Sequence, residues 1–308
     1  MSVSKPRVVV CGSLNMDVVV QSARRPAKGE TLLGGKVSFF PGGKGLNQAV
    51  AAVRLGVHTR LEGAVGDDLF GSDLRHFLVE NRIDGAGVKT AYGHATGVAI
   101  IQVAEGDNAI TVASGANLRA RRISGVPDPR RDDVWLAQFE TPLRTTEGLF
   151  RRARDAGART ILNLAPFTPS PASLLKLVDF AVLNEIELAQ ATGARVSSAS
   201  SFKKIVAACA VLRGKGPRNV IATLGARGAA VVTADGATMV KGLAAEVVDT
   251  TGAGDCFAGA FAARLALGDM PLDAVRYANA AAACSVERLG AAPSMPTARR
   301  VAARLASA

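Results

Sequence analysis

The 308 residues carry 37 Lys and Arg against 26 Asp and Glu, a formal charge of +11, and 48% of them are hydrophobic. That balance excludes an intrinsically disordered chain and suits one large α/β domain or two modest ones. The apolar runs stop well short of the roughly 20 residues that a membrane span needs, so no membrane partner is expected.

The positive excess attracts anions. One Trp and two Tyr provide no aromatic platform among the basic residues, so no nucleic-acid partner is expected. A small phosphorylated ligand or a basic solvated surface accounts for the charge. Cys11, Cys209, Cys256 and Cys284 show neither C-x-x-C pairing nor zinc spacing, which suits reduced thiols and a cytoplasmic location.

In chain order, MSVSKPRVVVCG shows no signal-peptide architecture, and RVVVCG (7–12) is a continuous β-branched run of the buried-parallel kind. DVVVQS (17–22) and TLLGGKVSFF (31–40) are strand-like with no helix between them. The glycine-rich FFPGGKGLNQAVAAVRLG (39–56) opens a helix over Lys44–Leu55, stopped by Gly56. A helical pattern covers Leu69–Asn81, and GVAIIQVA (97–104) and NAITVA (108–113) are again strands separated only by a turn. Buried strands then recur at VWLAQFE (134–140), RTILNLA (159–165), FAVLN (180–184) and NVIATLG (219–225), alternating with helices over Leu143–Ala156 and Ser201–Leu212. A short strand-like run, AEVV, ends at Asp249, and after TTGAG a helix runs over Asp255–Leu267 to Gly268.

Alternating strands and helices imply a three-layer α/β fold, with a mostly parallel central sheet covered by helices on both faces. The unaccompanied strands form a small inserted β-sheet, a lid built discontinuously from about 14–40 and 95–114 of a single 1–308 domain.

Ligands of open α/β sheets bind at the carboxyl ends of the strands, where TTGAG lies. Free amides at a helix start carry partial positive charge, and glycines let an anion approach them, so this turn suits a phosphoryl group. The alternative makes Asp255 an ordinary N-cap after a tight turn. There is no G-x-x-x-x-G-K-[ST] and no strict G-x-G-x-x-G. Lys44 and Asn47 share one face of a helical turn, and Asn15 and Asp17 offer the donor and acceptor set for neighbouring hydroxyls; Asp17 as a solvated strand residue is the other reading.

The blocks GSLNMD, PGGKGLNQAVAAVRLG and DTTGAGDCFAG resemble those of the ribokinase/PfkB carbohydrate and nucleoside kinase family. The likeness extends through GDDLFG (66–71), TGVAI…GDNAITVASGAN (96–117), QFETP (138–142), LNEIE (183–187), TLGARG (223–228) and GAAPSMP (290–296). It implies ATP-dependent phosphoryl transfer to a sugar hydroxyl, with O5 of D-ribose the leading case. Other acceptors it allows are 2-deoxyribose, another sugar or a nucleoside; a sugar-binding protein without turnover is the reading outside catalysis.

By the same resemblance, Asp255 is the general base, and the amides of Gly252, Ala253 and Gly254 hold the transferred phosphoryl group. Asn15, Asp17, Gly43, Lys44, Asn47 and Glu140 hold the sugar. Thr223, Gly225 and Gly228 border ATP, with Asn279 near the adenine. Asn184 and Glu187 position Mg²⁺ and phosphate, usually through water. Asp249, Thr251, Ser285, Arg288, Gly290 and Ser294 surround a monovalent cation, K⁺. Simpler roles exist for Glu140 as a strand end, Asn184 as a helix cap and Asn279 as a polar helix residue. Leu46, Phe167 in LNLAPF (162–167) and Cys256 depart from the common pattern, the first two as larger side chains expected near the pocket or nucleotide. Cys256 is either a thiol activated by its helix start or a small buried filler. A homodimer through the lid is expected.

Overall fold

The computed structural model describes residues 6–105, 107–121 and 125–307. The chain begins with β1 (Arg7–Cys11), β2 (Asn15–Gln21) and β3 (Val37–Gly42), then α1 (Lys44–Arg54), β4 (His58–Gly66), α2 (Leu69–Glu80) and β5 (Asp84–Ala91). It continues through β6 (Gly97–Ala104), β7 (Asp107–Ala113), β8 (Val134–Ala137), α3 (Leu143–Asp155), β9 (Arg159–Asn163) and α4 (Ala172–Leu175). Then come β10 (Phe180–Asn184), α5 (Glu185–Thr192), α6 (Phe202–Gly214), β11 (Asn219–Thr223), β12 (Gly228–Val232) and β13 (Ala237–Lys241). Three helices end it: α7 (Ala253–Ala266), α8 (Pro271–Ser285) and α9 (Ala298–Ala306).

The large sheet has nine strands in the order β13-β12-β11-β10-β9-β8-β1-β4-β5, parallel except where β12 and β13 close one edge antiparallel. Strand β1 shows why the sheet is covered on both sides. Side chains alternate across a strand; Val8 and Val10 enter a core with α1 and α7, whereas Val9 and Cys11 enter a second core with Trp135, Phe150 and Cys209. The second sheet is β3-β2-β6-β7. Its β2–β6 pair is parallel and the other two are antiparallel.

Two expectations need correction. Within TLLGGKVSFF only the part from Val37 onward is a strand, since the segment through 31–36 is irregular. The AEVV run is a loop, because the Val248 and Asp249 amides both donate to Val286 O at the end of α8 (2.8 and 3.0 Å) rather than to a neighbouring strand. Val247 and Val248 are exposed. No helix among the described residues is long and apolar enough to cross a membrane.

The contact that matters most for the site is α1 against α7. Gly259 lies where an added Cβ would stand 2.5 Å from Gln48 O and 2.7 Å from Ala51 Cβ, so the two backbones touch at this point. Ala258, Ala260, Ala262 and Ala263 of α7 are also fully buried, alongside the larger Phe257, Phe261 and Leu265. That closeness brings the short side chain of Asp255 within reach of α1.

Candidate active site

Asp255 is the third residue of α7, not its cap. The cap position is Gly252, in the left-handed conformation at φ 76°. Asp255 is 5% exposed, and its carboxylate points across to α1, where Oδ2 accepts from Asn47 Nδ2 (3.0 Å) and Oδ1 from Gln48 Nε2 (2.9 Å). Behind Gln48 stand Gln138, which donates to Gln48 Oε1, and Asn163, whose Oδ1 accepts from Gln48 Nε2 (3.1 Å).

Around Asp255 the other sequence-predicted sugar residues converge. Lys44 is held protonated first by Asp255, against burial, and then by Glu140 and Glu187. Burial pushes the Asp17 carboxyl up to about 7, and Glu140 and Asp255 push in the same direction. Asn15 and Asp17 lie two apart on β2 and so share a face; Asn15 Oδ1 accepts from Asn117 Nδ2 (2.7 Å). Gly43 packs on Asn15, leaving a Cβ only 2.8 Å from Asn15 N. Glu140 Oε2 accepts from Lys44 N (3.2 Å) and from Ser13 Oγ, so it supplies the acceptor that the glycine cap of α1 lacks. Asn47 Oδ1 is buried without a partner among the described residues, a spare acceptor on the amide that holds Asp255.

At the α7 start, Ala253 N donates to Thr250 O (3.2 Å) and Cys256 N to Gly252 O (2.8 Å). The Gly252 and Gly254 amides have no acceptor among the described residues. A Cβ on Gly254 would meet nothing within 4 Å, because Gly254 faces a cavity of about 170 Å³ lined also by Lys44, Asn184, Glu187, Thr223 and Asp255. A second cavity, of about 730 Å³, continues from it past Gly225, Gly228, Leu243, Val247, Phe257 and Asn279. Asn184 and Glu187 bond each other reciprocally, each backbone amide to the other's side chain at 2.9 Å, and so form a capping box for α5. Glu187 is raised by burial more than the Asn184 amide and Lys44 lower it. Asn279 Nδ2 ties α8 to β13 through the carbonyls of Val240 and Lys241.

Asp249 reaches back to the same turn: its two carboxylate oxygens accept from Thr251 N (2.9 Å) and Gly290 N (2.8 Å). Burial opposes its charge, but these bonds bring its pKa below the usual value. The hydroxyls of Ser285 and Ser294 donate to local carbonyls, Ala282 O and Ala291 O, and Arg288 N donates to Ser285 O.

The model of the pfkB family of carbohydrate kinases matches residues 5–298. The chain belongs to that family. Ribokinase of Haemophilus influenzae is 36% identical over 294 residues, covering 94% of this chain and 95% of the relative. Ribokinase of Bacillus subtilis is 35% identical over 302 residues, with 96% and 97% covered. Among solved structures, Arabidopsis thaliana ribokinase complexed with ribose and ATP superposes at a TM-score of 0.89 with 31% identity, covering 98% of this chain and 99% of that one.

In this pfkB-family kinase, two residues stand away from where they were expected, and a third takes the simpler of its two expected roles. Leu46 is fully buried in the core rather than lining the pocket. Phe167 lines a separate cavity with Leu164, Pro169 and Leu175. Neither narrows the cavities beside Asp255. Cys256 is completely buried, and burial pushes its thiol up to about 12; it is filler. Sequence reading also passed over Gln48, Gln138, Asn163, Ser13 and Asn117. Gln48 had a signal, since Lys44, Asn47 and Gln48 share one helical face and polar side chains are out of place on a buried one. Gln138 and Asn163 had none, as each sits at the end of a hydrophobic run.

Proposed function

We propose that this kinase transfers the γ-phosphoryl group of ATP to O5 of D-ribose, the whole chain acting as one domain with the small sheet as its lid. The observation that carries this is the position of Asp255. It stands where the cluster of Asn15, Asp17, Lys44, Asn47 and Glu140 meets the two cavities along α7. Asp17 and the unpartnered Asn47 Oδ1 accept from ribose hydroxyls, and Lys44 donates. Asp255 takes the O5 proton as O5 attacks phosphorus; the O5–P bond forms, the bond to the β–γ bridging oxygen breaks, and ADP departs. The amides of Gly252 and Gly254, with Ala253 between them, receive the charge that develops on the phosphoryl oxygens.

The residues present fit the implied ligands. The larger cavity is apolar along Leu243, Val247 and Phe257 and edged by Thr223, Gly225, Gly228 and Asn279, as an adenine and ribose of ATP require. Among the described residues no three or more His, Cys, Asp or Glu side chains stand together so as to hold a metal ion. Mg²⁺ beside Asn184 and Glu187 would therefore take its ligands mainly from phosphate and water, supplying charge neutralisation. Asp249 and the oxygen-rich 285–294 loop suit K⁺, a hard cation that would order the TTGAG turn. K⁺ then raises kcat more than Na⁺ or a bulky organic cation; equal rates in all three would remove the cation from this scheme.

The deciding experiment is ADP release over a panel of pentoses, hexoses and nucleosides, with the product of the best acceptor assigned by phosphorus NMR. D-ribose should give the highest kcat/KM and ribose 5-phosphate. A nucleoside or a hexose at the top replaces the substrate, and no ADP release with any acceptor leaves only sugar binding.

A further inference from the structure

We infer that Gln48 is the positioning residue of this kinase, setting the place and orientation of the Asp255 carboxylate through a buried chain of amides; the inference rests on the general-base reading of Asp255. Gln48 and Gln138 are completely buried, and Asn163 is 5% exposed. Every α1 residue from Gly45 to Ala52 is buried, and all of them except Asn47 and Gln48 are apolar or glycine, so an apolar residue would satisfy that packing. Burying an amide is unfavourable unless its groups are bonded, so its presence requires a reason beyond packing.

The hydrogen bonds give one. Gln48 Nε2 has two hydrogens and both are placed, one on Asp255 Oδ1 (2.9 Å) and one on Asn163 Oδ1 (3.1 Å). Its Oε1 accepts from Gln138 Nε2. A flipped Gln48 amide would turn its oxygen toward two acceptors and its NH₂ toward a donor, so only one orientation satisfies all three neighbours. The neighbours are themselves fixed. Asn163 Nδ2 donates to Val182 O (3.0 Å). Gln138 Oε1 has no hydrogen-bond partner among the described residues, and packing holds this amide against Gly12, where an added Cβ would be 2.0 Å from Oε1.

Gln138 follows β8 and Asn163 ends β9, so the chain ties Asp255 to the sheet independently of α7. Asn47 holds the other carboxylate oxygen (3.0 Å) but is also assigned to the sugar through its Oδ1, whereas both polar atoms of Gln48 are spent within the buried chain. The charged groups felt at Asp255 are Lys44 from α1, Asp17 from β2 and Glu187 from α5. None of these is hydrogen-bonded to Asp255 among the described residues, so they leave its orientation to the two amides.

The test is Gln48→Met, which keeps the length and removes the amide, measured in the wild-type chain and in Asp255→Asn. A misplaced catalytic group loses rate at about 10²-fold per ångström. The expected result is a fall in kcat of about 10²-fold with KM for ribose and ATP within about twofold, and no further fall when the change is added to Asp255→Asn. An unchanged kcat, or the same drop in both backgrounds, overturns the inference. If Gln48→Met does not fold, Gln48→Glu, which keeps the shape and sets an oxygen against Asp255, is read by the same pair of measurements. A wild-type chain that transfers no phosphoryl group overturns the general-base reading instead, which keeps the two failures apart.

Discussion

At the scale of single residues, the two carboxylates of the site do different work because their surroundings differ. Asp255 receives amide hydrogens on both oxygens, which fixes the carboxylate where a base must stand. Asp255→Asn should fold, bind ribose and lose about 10²–10⁴-fold in kcat; turnover near wild type would take the role of base away from it. Asp17 lacks such donors, and burial, then Glu140 and then Asp255, hold it up at about 7 from an ordinary 3.8. A carboxyl raised on folding gives its stability below the unfolded value and loses it as pH rises through the folded one. The ligand-free chain therefore carries a penalty above pH 7. Asp17→Asn should stabilise the free enzyme by on the order of 2 kcal/mol at pH 8, and the gain should vanish below about pH 4. Ribose hydroxyls donating to Asp17 reverse the balance, so ribose binding near pH 6.5 should release protons and weaken as pH falls. Calorimetry in buffers of different ionisation enthalpy reads this directly, and binding that is independent of pH between 5.5 and 8 would contradict it.

At the scale of elements, the turn before α7 separates fold from function in two neighbouring glycines. Gly252 is left-handed at φ 76°, and its Cβ would lie 3.0 Å from Ala291 Cβ; Gly252→Ala should lower stability by about 2 kcal/mol. Gly254 is already helical and faces open cavity. Gly254→Ala should keep or slightly raise the melting temperature while kcat/KM for ATP falls about tenfold or more, since its methyl enters the phosphoryl site. A loss of stability in the second variant without a loss of rate would show that the turn is only structural. The same contrast explains what the sequence discloses. β1, β6 and β10 are almost wholly apolar or β-branched, broken internally only by Gln102 in β6, and their bounds follow from that pattern. β4 reads HTRLEGAVG, whose charged residues break the apolar pattern; the buried Glu62 carboxylate pairs with Arg60 in the same strand (2.6 Å) and packs over Gly87. β12 and β13 owe their strand form to antiparallel partners at the sheet edge. The glycine blocks and Asp255 were legible because anion-binding chemistry needs particular residues in a row. Gln138 and Asn163 were not, because they matter only through contacts across 90 and 115 positions with Gln48.

At the scale of the whole molecule, the small sheet has a surface that the rest of the chain leaves open. Asp17 pairs with Ala99, and Ala99 with Val112; Val19 pairs with Ile101, and Ile101 with Ile110. Ile110 and Val112 thus lie on the face that carries Asn15 and Asp17, yet they are 51% and 45% exposed. β7 is also an edge strand, so one side of its backbone has no neighbouring strand among the described residues, along a run that holds neither charge nor proline from Ala109 to Ala113, the kind of edge that native proteins cover. A second copy of this chain offers the matching apolar strip by symmetry, and one two-fold contact covers both. The sheet would then close over ribose as part of a dimer, and its hold on the sugar would depend on the partner's sheet behind it. Light scattering at micromolar concentration should give twice 31.7 kDa, and Ile110→Glu with Val112→Lys should give a monomer whose KM for ribose rises while that for ATP does not, since the ATP cavity lies along α7 and α8. A wild-type chain that scatters as a monomer, or a monomeric double variant with unchanged KM for ribose, would mean that the lid closes without a partner.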